Sequence, residues 1–377
     1  FRDIYLQGYS HARIEDIRIH QQHAKNVSVQ TSITLSESVP GQKLCVELSE
    51  DGADKPLQTK LCKTNADGVA AVDFVIENPK LWWPNDYGDQ PLYIVRTTLL
   101  DEDGTSLESI TRRIGLRTLT ISQEKDEWGN EFAFCVNGVK IFTRGGNYIP
   151  DDCLYTRITE KKLDYILESC RRAHFNCVRV WGGGYYPSDA FYDLCDEKGL
   201  IVWQDLMYAC NVYDVTDAFA ENCRQETYDN VRRLRHHASL GLWCGNNEIE
   251  SAWDHWGDLK KSSRKPYRRQ TVKPFTGILP RHPAAVLTIR MMQTAEIPTT
   301  GMSGMDRNHL PTTANIFSVS APNSVFSLSH VQRPSTVLLW KMTAIFSPVS
   351  WKAIRKMMRQ TVRCSTICPK IFAIQKI

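Results

Sequence analysis

Two rhythms of apolar residues meet near residue 118, so the chain must build two kinds of layer. From residue 15 to about 118 apolar positions recur every second residue, as in Val27 and Val29, Ile33 and Leu35, and Leu44, Val46 and Leu48. Period two sends successive side chains to opposite faces, one toward a core and one toward water. Turn residues punctuate these runs at 49–52, at Asp67-Gly68 and at 101–104. Short strands at this spacing predict an antiparallel, immunoglobulin-like β-sandwich of about 100 residues. The stretch Leu81-Trp82-Trp83-Pro84-Asn85 breaks the alternation and reads as an aromatic plug in a loop against the next domain.

From residue 119 strands and helices take turns. Residues 139–148 read as a strand ending in Arg144-Gly145-Gly146-Asn147. Residues 159–174 form a helix capped by Thr159, with Leu163, Ile166, Leu167 and Cys170 on one face. Strands follow at 176–181, 200–206 and 239–246, separated by helices at 188–198 and 217–235, with Gly199 just past the end of the first. The strands are almost continuously apolar, as buried parallel strands are, so the pattern predicts the first half of a (β/α)8 barrel over 119–260. A doubly wound sheet is the alternative; against it, GGNYIP at 145–150 lacks the G-x-G-x-x-G spacing of a dinucleotide fold.

Composition narrows the function classes. With 42% hydrophobic and 23% charged residues among 377, wholesale disorder is excluded and two or three folding units are expected. No apolar run approaches the roughly 18 residues of a membrane span. The 12 cysteines are scattered, and Cys364-x3-Cys368 has no second pair or nearby His to complete a metal site. Charge is split unevenly: residues 261–377 hold 18 Lys and Arg against two acids (net +16), whereas residues 1–260 hold 28 against 40 (net −12). The basic tail has no regular basic face or binding module, so nucleic acid is not an expected partner. Strand–helix rhythm is lost there as well, and the tail reads as a degenerate or frame-shifted remainder of the barrel. Residues 1–14 read as the last strand and exit of a larger domain, and the start at Phe1 reads as that of a fragment.

In a parallel barrel, chemistry gathers at the C-terminal ends of the strands. Those ends offer Asn147; Arg179 with Trp181; Gln204 with Asp205; and Asn246, Asn247 and Glu248. Amides and acids for hydroxyls, an indole for a pyranose face and a carboxyl for a leaving oxygen have the character of a sugar site, with no metal or cofactor. Glu248 beside Trp243 and Trp256 would be partly desolvated, which raises a carboxyl pKa and suits a general acid. The plainer alternative is a glutamate that caps or salt-bridges the next helix. Arg179, inside an apolar strand, must meet a carboxylate, and Asp205 reads as a supporting acid.

Five motifs then carry a resemblance: GGNYIP (145–150), NCVRVWGGGYYP (176–187), IVWQDLMY (201–208), LWCGNNEIESAWDHW (242–256) and LWWPNDYGDQPLY (81–93), with RDIYL at 2–6 beside them. Together they resemble the β-mannosidases of glycoside hydrolase family 2, from residue 1 to about 264. The resemblance implies a retaining exo-enzyme that removes terminal β-D-mannose, with a jelly-roll domain (its last strand at 1–14), an immunoglobulin-like sandwich (15–118) and a (β/α)8 barrel. It implies that Glu248 is the acid/base, that Asn247 holds the sugar 2-hydroxyl, that Arg179 orients the nucleophile, and that Trp181 and Trp256 line the mannose subsite. Family 2 β-galactosidases and β-glucuronidases lack the VWGGGYYP run, so a β-mannoside glycan is the expected partner. The family's nucleophile, a glutamate at the seventh strand, would fall near residue 340, but the last acids here are Glu296 and Asp306. Activity of this chain is therefore expected to be impaired. A non-catalytic carbohydrate-binding fragment and a related family 2 glycosidase are the competing readings.

Overall fold

A computed structural model of the chain describes residues 6–249, with Ser10, Asp126, Trp128, Asn211, Val212, Asp214 and Val215 excepted. Most of the expected jelly-roll strand's start, Trp256 and the whole of 261–377 lie outside the described residues.

Seven strands make the first part: β1 (Ile14–His23), β2 (Val27–Leu35), β3 (Lys43–Glu50), β4 (Gln58–Lys63), β5 (Val69–Ile76), β6 (Tyr93–Leu100) and β7 (Ser106–Ile114). They form two antiparallel sheets, ordered β1-β2-β5 and β4-β3-β6-β7. The period-two sequence of β2 buries Val27, Val29, Thr31, Ile33 and Leu35 against Leu44, Val46 and Leu48 of β3. Each such aliphatic side chain contributes roughly 1.5–3 kcal/mol by leaving water. The edge strand β4 buries little, and Gln58 Nε2 donates to the Val75 carbonyl at 2.7 Å, tying the two sheets together at that edge.

A small antiparallel sheet follows, with β8 (Leu119–Ser122), β9 (Ala133–Val136) and β10 (Val139–Ile141) in the order β10-β9-β8. The last part alternates β11 (Gly145–Tyr148), α1 (Glu160–Arg172), β12 (Cys177–Val180), α2 (Asp189–Lys198), β13 (Ile201–Asp205), α3 (Asp217–Leu234) and β14 (Leu240–Cys244). Its four strands are parallel and paired in chain order. Thr159 Oγ1 accepts from Lys162 N at 3.3 Å and Thr216 Oγ1 from Phe219 N at 3.2 Å, so both helices start on side-chain caps. Gly199, at φ +68°, ends α2 in the left-handed turn expected of it. None of the helices among the described residues is long and apolar enough to cross a membrane.

The single strand expected over 139–148 is instead two strands in different sheets. The break at 142–144 is stabilised by Asn176, whose Nδ2 donates to the Phe142 carbonyl at 3.0 Å and whose Oδ1 accepts from Arg144 N at 2.8 Å. A buried amide thus satisfies the backbone groups that a change of partner would otherwise orphan.

The two faces of the parallel sheet do different work. Val178, Val180, Val202 and Leu240 pack under the helices with Leu163, Leu167 and Phe191. Cys177, Ile201, Trp203, Leu242 and Cys244 face the other way, with Leu119, Phe134, Val136 and Ile141 of the small sheet. The register of β14 slips against β13 between Val202 and Trp203, leaving Gly241 as an extra residue. A bulge of this kind reverses the facing of everything after it. Trp243 therefore lies with the helices.

The aromatic plug holds the two parts together. Trp82 is fully buried, and its indole N–H donates to the Asp196 carbonyl of α2 at 2.8 Å. Arg117 donates to the carbonyls of Ala238 and Leu240 at 2.9 and 2.6 Å, just where β14 begins.

Candidate active site

Arg179 is the hinge of the arrangement. Period two along β13 puts Trp203 and Asp205 on one face, and the parallel register sets Arg179 opposite Trp203. Arg179 donates from Nε to Asp205 Oδ1 at 3.1 Å and from Nη2 to Oδ2 at 2.7 Å. The Asp205 carboxylate also accepts from Gly182 N at 3.0 Å and from the Trp203 indole at 3.0 Å. Burial pushes the Asp205 carboxyl up from the usual range, while the Arg179 guanidinium and the Gly182 and Trp203 N–H groups oppose the shift. Burial works against the Arg179 charge as well, yet the carboxylate beside it prevails and its pKa rises. The two bonds make a bidentate pair, and the Gly182 and Trp203 N–H groups satisfy the carboxylate's remaining lone pairs.

The same guanidinium reaches one step further. Arg179 Nη2 donates to Asn247 Oδ1 at 2.9 Å, which fixes the amide and leaves its NH2 as the outward-facing donor. That NH2 donates to Cys210 Sγ at 3.1 Å, and Sγ lies 3.6 Å from Glu248 Oε2. Backbone bonds brace the pair of loops: Asn247 N to the Tyr208 carbonyl at 2.8 Å and Cys210 N to the Asn247 carbonyl at 3.1 Å. Glu248 sits at φ +61°, a left-handed conformation uncommon for a residue with a side chain. Such strain recurs at functional sites because the surroundings must hold it.

Of the residues expected from the sequence, Arg179, Asp205, Asn247 and Glu248 converge. Asn147 lies opposite Arg179 in the register of β11 and β12 and is exposed. Trp181 follows β12, and its ring occupies the space above Gly183, where a Cβ would meet it at 1.9 Å. Gln204 does not join them: it faces the helices and accepts from the Tyr192 hydroxyl at 2.6 Å. Trp256 lies outside the described residues. Sequence reasoning missed Trp203, Gly182 and Cys210. Trp203 was recoverable, being two residues before Asp205 on the same strand, and the run Gly182-Gly183-Gly184 hinted at a close backbone approach. Nothing local marked Cys210.

Far from this cluster, Asp193, Asp196 and His237 bring ligand-type atoms within 4.8 Å of one another. Their donors are already committed: His237 Nδ1 to Asp196 Oδ2 at 2.7 Å, Ser239 N to Asp196 Oδ1 at 2.7 Å, and Arg113 beside Asp193. The trio braces the seam with the sandwich.

A carboxyl on a braced loop beside an oriented amide can hold a sugar hydroxyl and move a proton to or from a glycosidic oxygen. Comparison with known proteins bears on this chemistry. Residues 12–117 match the glycosyl hydrolases family 2. Beta-mannosidase B of Aspergillus flavus is 38% identical over 253 residues, 66% of this chain and 29% of that protein. Over these residues the chain is similar to β-mannosidases. Beta-mannosidase B of Emericella nidulans is 35% identical over the same shares. The β-D-mannosidase structure from Dictyoglomus thermophilum superposes with a TM-score of 0.60 at 34% identity, covering 65% of this chain and 31% of that one. A β-glucuronidase from Parabacteroides merdae shares the fold, with a TM-score of 0.54 at 19% identity over 63% of this chain and 30% of its own. The chain spans 29% of the length of these curated relatives. The sandwich is immunoglobulin-like, as the match to this family indicates.

Proposed function

We propose that this chain carries the acid/base half of a retaining exo-β-mannosidase site and lacks the half that would complete it. The carrying observation is the relay from Asp205 through Arg179 to Asn247, which orients an amide donor beside the Glu248 carboxyl. In this reading Glu248 protonates the departing glycosidic oxygen and later takes a proton from water. Asn247 holds the 2-hydroxyl of a terminal β-D-mannose, Trp181 and Trp256 cover its faces, and Asn147 stands at the rim. The four parallel strands are the start of a (β/α)8 barrel over 119–260, following a sandwich over 15–118 and the last strand of a jelly roll at 1–14.

Retention needs a second carboxylate about 5–5.5 Å from the first, to attack the anomeric carbon. After Glu296 and Asp306 the chain has no acid at all, and 261–377 carries the composition of a degenerate remainder. Hydrolysis by this chain is therefore expected to be slight.

Assay of the full chain with p-nitrophenyl β-D-mannoside tests both halves of the proposal. Turnover no greater than that of Glu248→Ala is expected; turnover far above it would overturn the loss of the nucleophile. Calorimetry with methyl β-D-mannoside should show weak binding that Asn247→Ala abolishes, and absence of binding by the unaltered chain would overturn the sugar site.

A further inference from the structure

The Asn247 amide has two ends, and Arg179 holds only one of them. The other, Nδ2, donates to Cys210 Sγ at 3.1 Å, and the thiol faces Glu248 Oε2 at 3.6 Å. Cys210 itself sits at φ +46°, so the two residues flanking this contact are both left-handed without being glycine. Each such residue is strained unless its surroundings hold it. Here the backbone bonds among Tyr208, Cys210 and Asn247 do so.

We infer that Cys210 is a positioning residue, whose thiol fixes the free end of the Asn247 amide and steadies the Glu248 carboxyl. Sulfur suits the task for two reasons. Its long bond to carbon spans a gap that a serine hydroxyl at the same Cβ would fall short of. It is also a weak acceptor, so it can aim the amide while leaving that NH2 able to meet a sugar oxygen. What the positioning serves rests on the proposed function; the contacts themselves do not.

The thiol reports on its two neighbours with opposite signs. Burial raises its pKa most; the Glu248 carboxylate raises it too, whereas donation from Asn247 lowers it. Iodoacetamide labelling of the full chain at about pH 8, resolved by peptide, reads the thiolate fraction at Cys210. Exposed Cys153 serves as the internal control. Glu248→Gln should speed labelling of Cys210 and Asn247→Ala should slow it, each about threefold or more, with Cys153 unchanged. Simple loosening of the loops would speed both, and that result, or no change in either, overturns the inference. Adding methyl β-D-mannoside separates the two ideas. Protection of Cys210 supports the sugar site; its absence alongside opposite shifts counts against the sugar site and leaves the thiol's role standing.

Discussion

Arg179 and Asp205 meet through two bonds, 3.1 and 2.7 Å long, and the carboxylate has no exposed surface at all. The pair lies on adjacent strands that the sequence separates by a helix, and through Asn247 it reaches the loop that carries Glu248. Removing one partner leaves the other buried and uncompensated. Asp205→Ala should therefore lower stability by about 3–5 kcal/mol, read as a shift in the urea midpoint. Arg179→Met should cost a similar amount, because it fills the space of the guanidinium but leaves the fully buried Asp205 carboxylate without its counter-charge.

Close backbone approach around the site gives a ranked prediction. A Cβ on Gly182 would stand 2.6 Å from the Leu206 carbonyl oxygen, and one on Gly145 only 1.8 Å from that of Cys177. Gly182→Ala should cost about 1–3 kcal/mol, as overpacking does, and Gly145→Ala more. Urea denaturation of the two variants side by side checks the order.

Trp82 couples the sandwich to the parallel sheet. Trp82→Ala should cost about 3–5 kcal/mol through the lost contacts. Trp82→Phe keeps most of the packing but orphans the Asp196 carbonyl, and should cost about 1–3 kcal/mol. Circular dichroism and tryptophan fluorescence followed through one urea titration should separate into two transitions in the alanine variant and stay closer together in the phenylalanine variant.

Acid sensitivity should begin near neutrality. Burial, with His237, Arg112, Arg235 and Arg233 adding repulsion, holds the His236 pKa well below its ordinary value. The unfolded chain takes up that proton near pH 6.5 while the folded chain does not, so stability is complete above about 6.5 and falls as pH drops below it. The slope approaches at most about 1.4 kcal/mol per pH unit. In His236→Gln this limb should flatten, which melting temperatures between about pH 5 and 7.5 would show.

Much of the architecture was legible because it is local. Alternation in 27–35 requires a strand with one buried face, Thr159 and Thr216 start helices with their own side chains, and Gly199 stops one. Residues at strand ends were also within reach, since parallel strands feeding helices place Arg179, Asp205, Asn247 and Glu248 on one rim. The basic, acid-poor run after residue 261 stood out from composition alone.

Tertiary pairing decided the rest. Where residues 139–148 divide between two sheets depends on Asn176, which supplies its amide from more than thirty positions away. The slip at Gly241 depends on how β14 registers against β13, and it alone turns Trp243 toward the helices. Cys210 meets Asn247 and Glu248 only because two loops fold onto each other at the ends of neighbouring strands. Side-chain period and capping are set by a few adjacent residues, so the sequence by itself determined them. Register, bulges and contacts between loops are set by which distant strand arrives alongside, and no local pattern encodes that arrival.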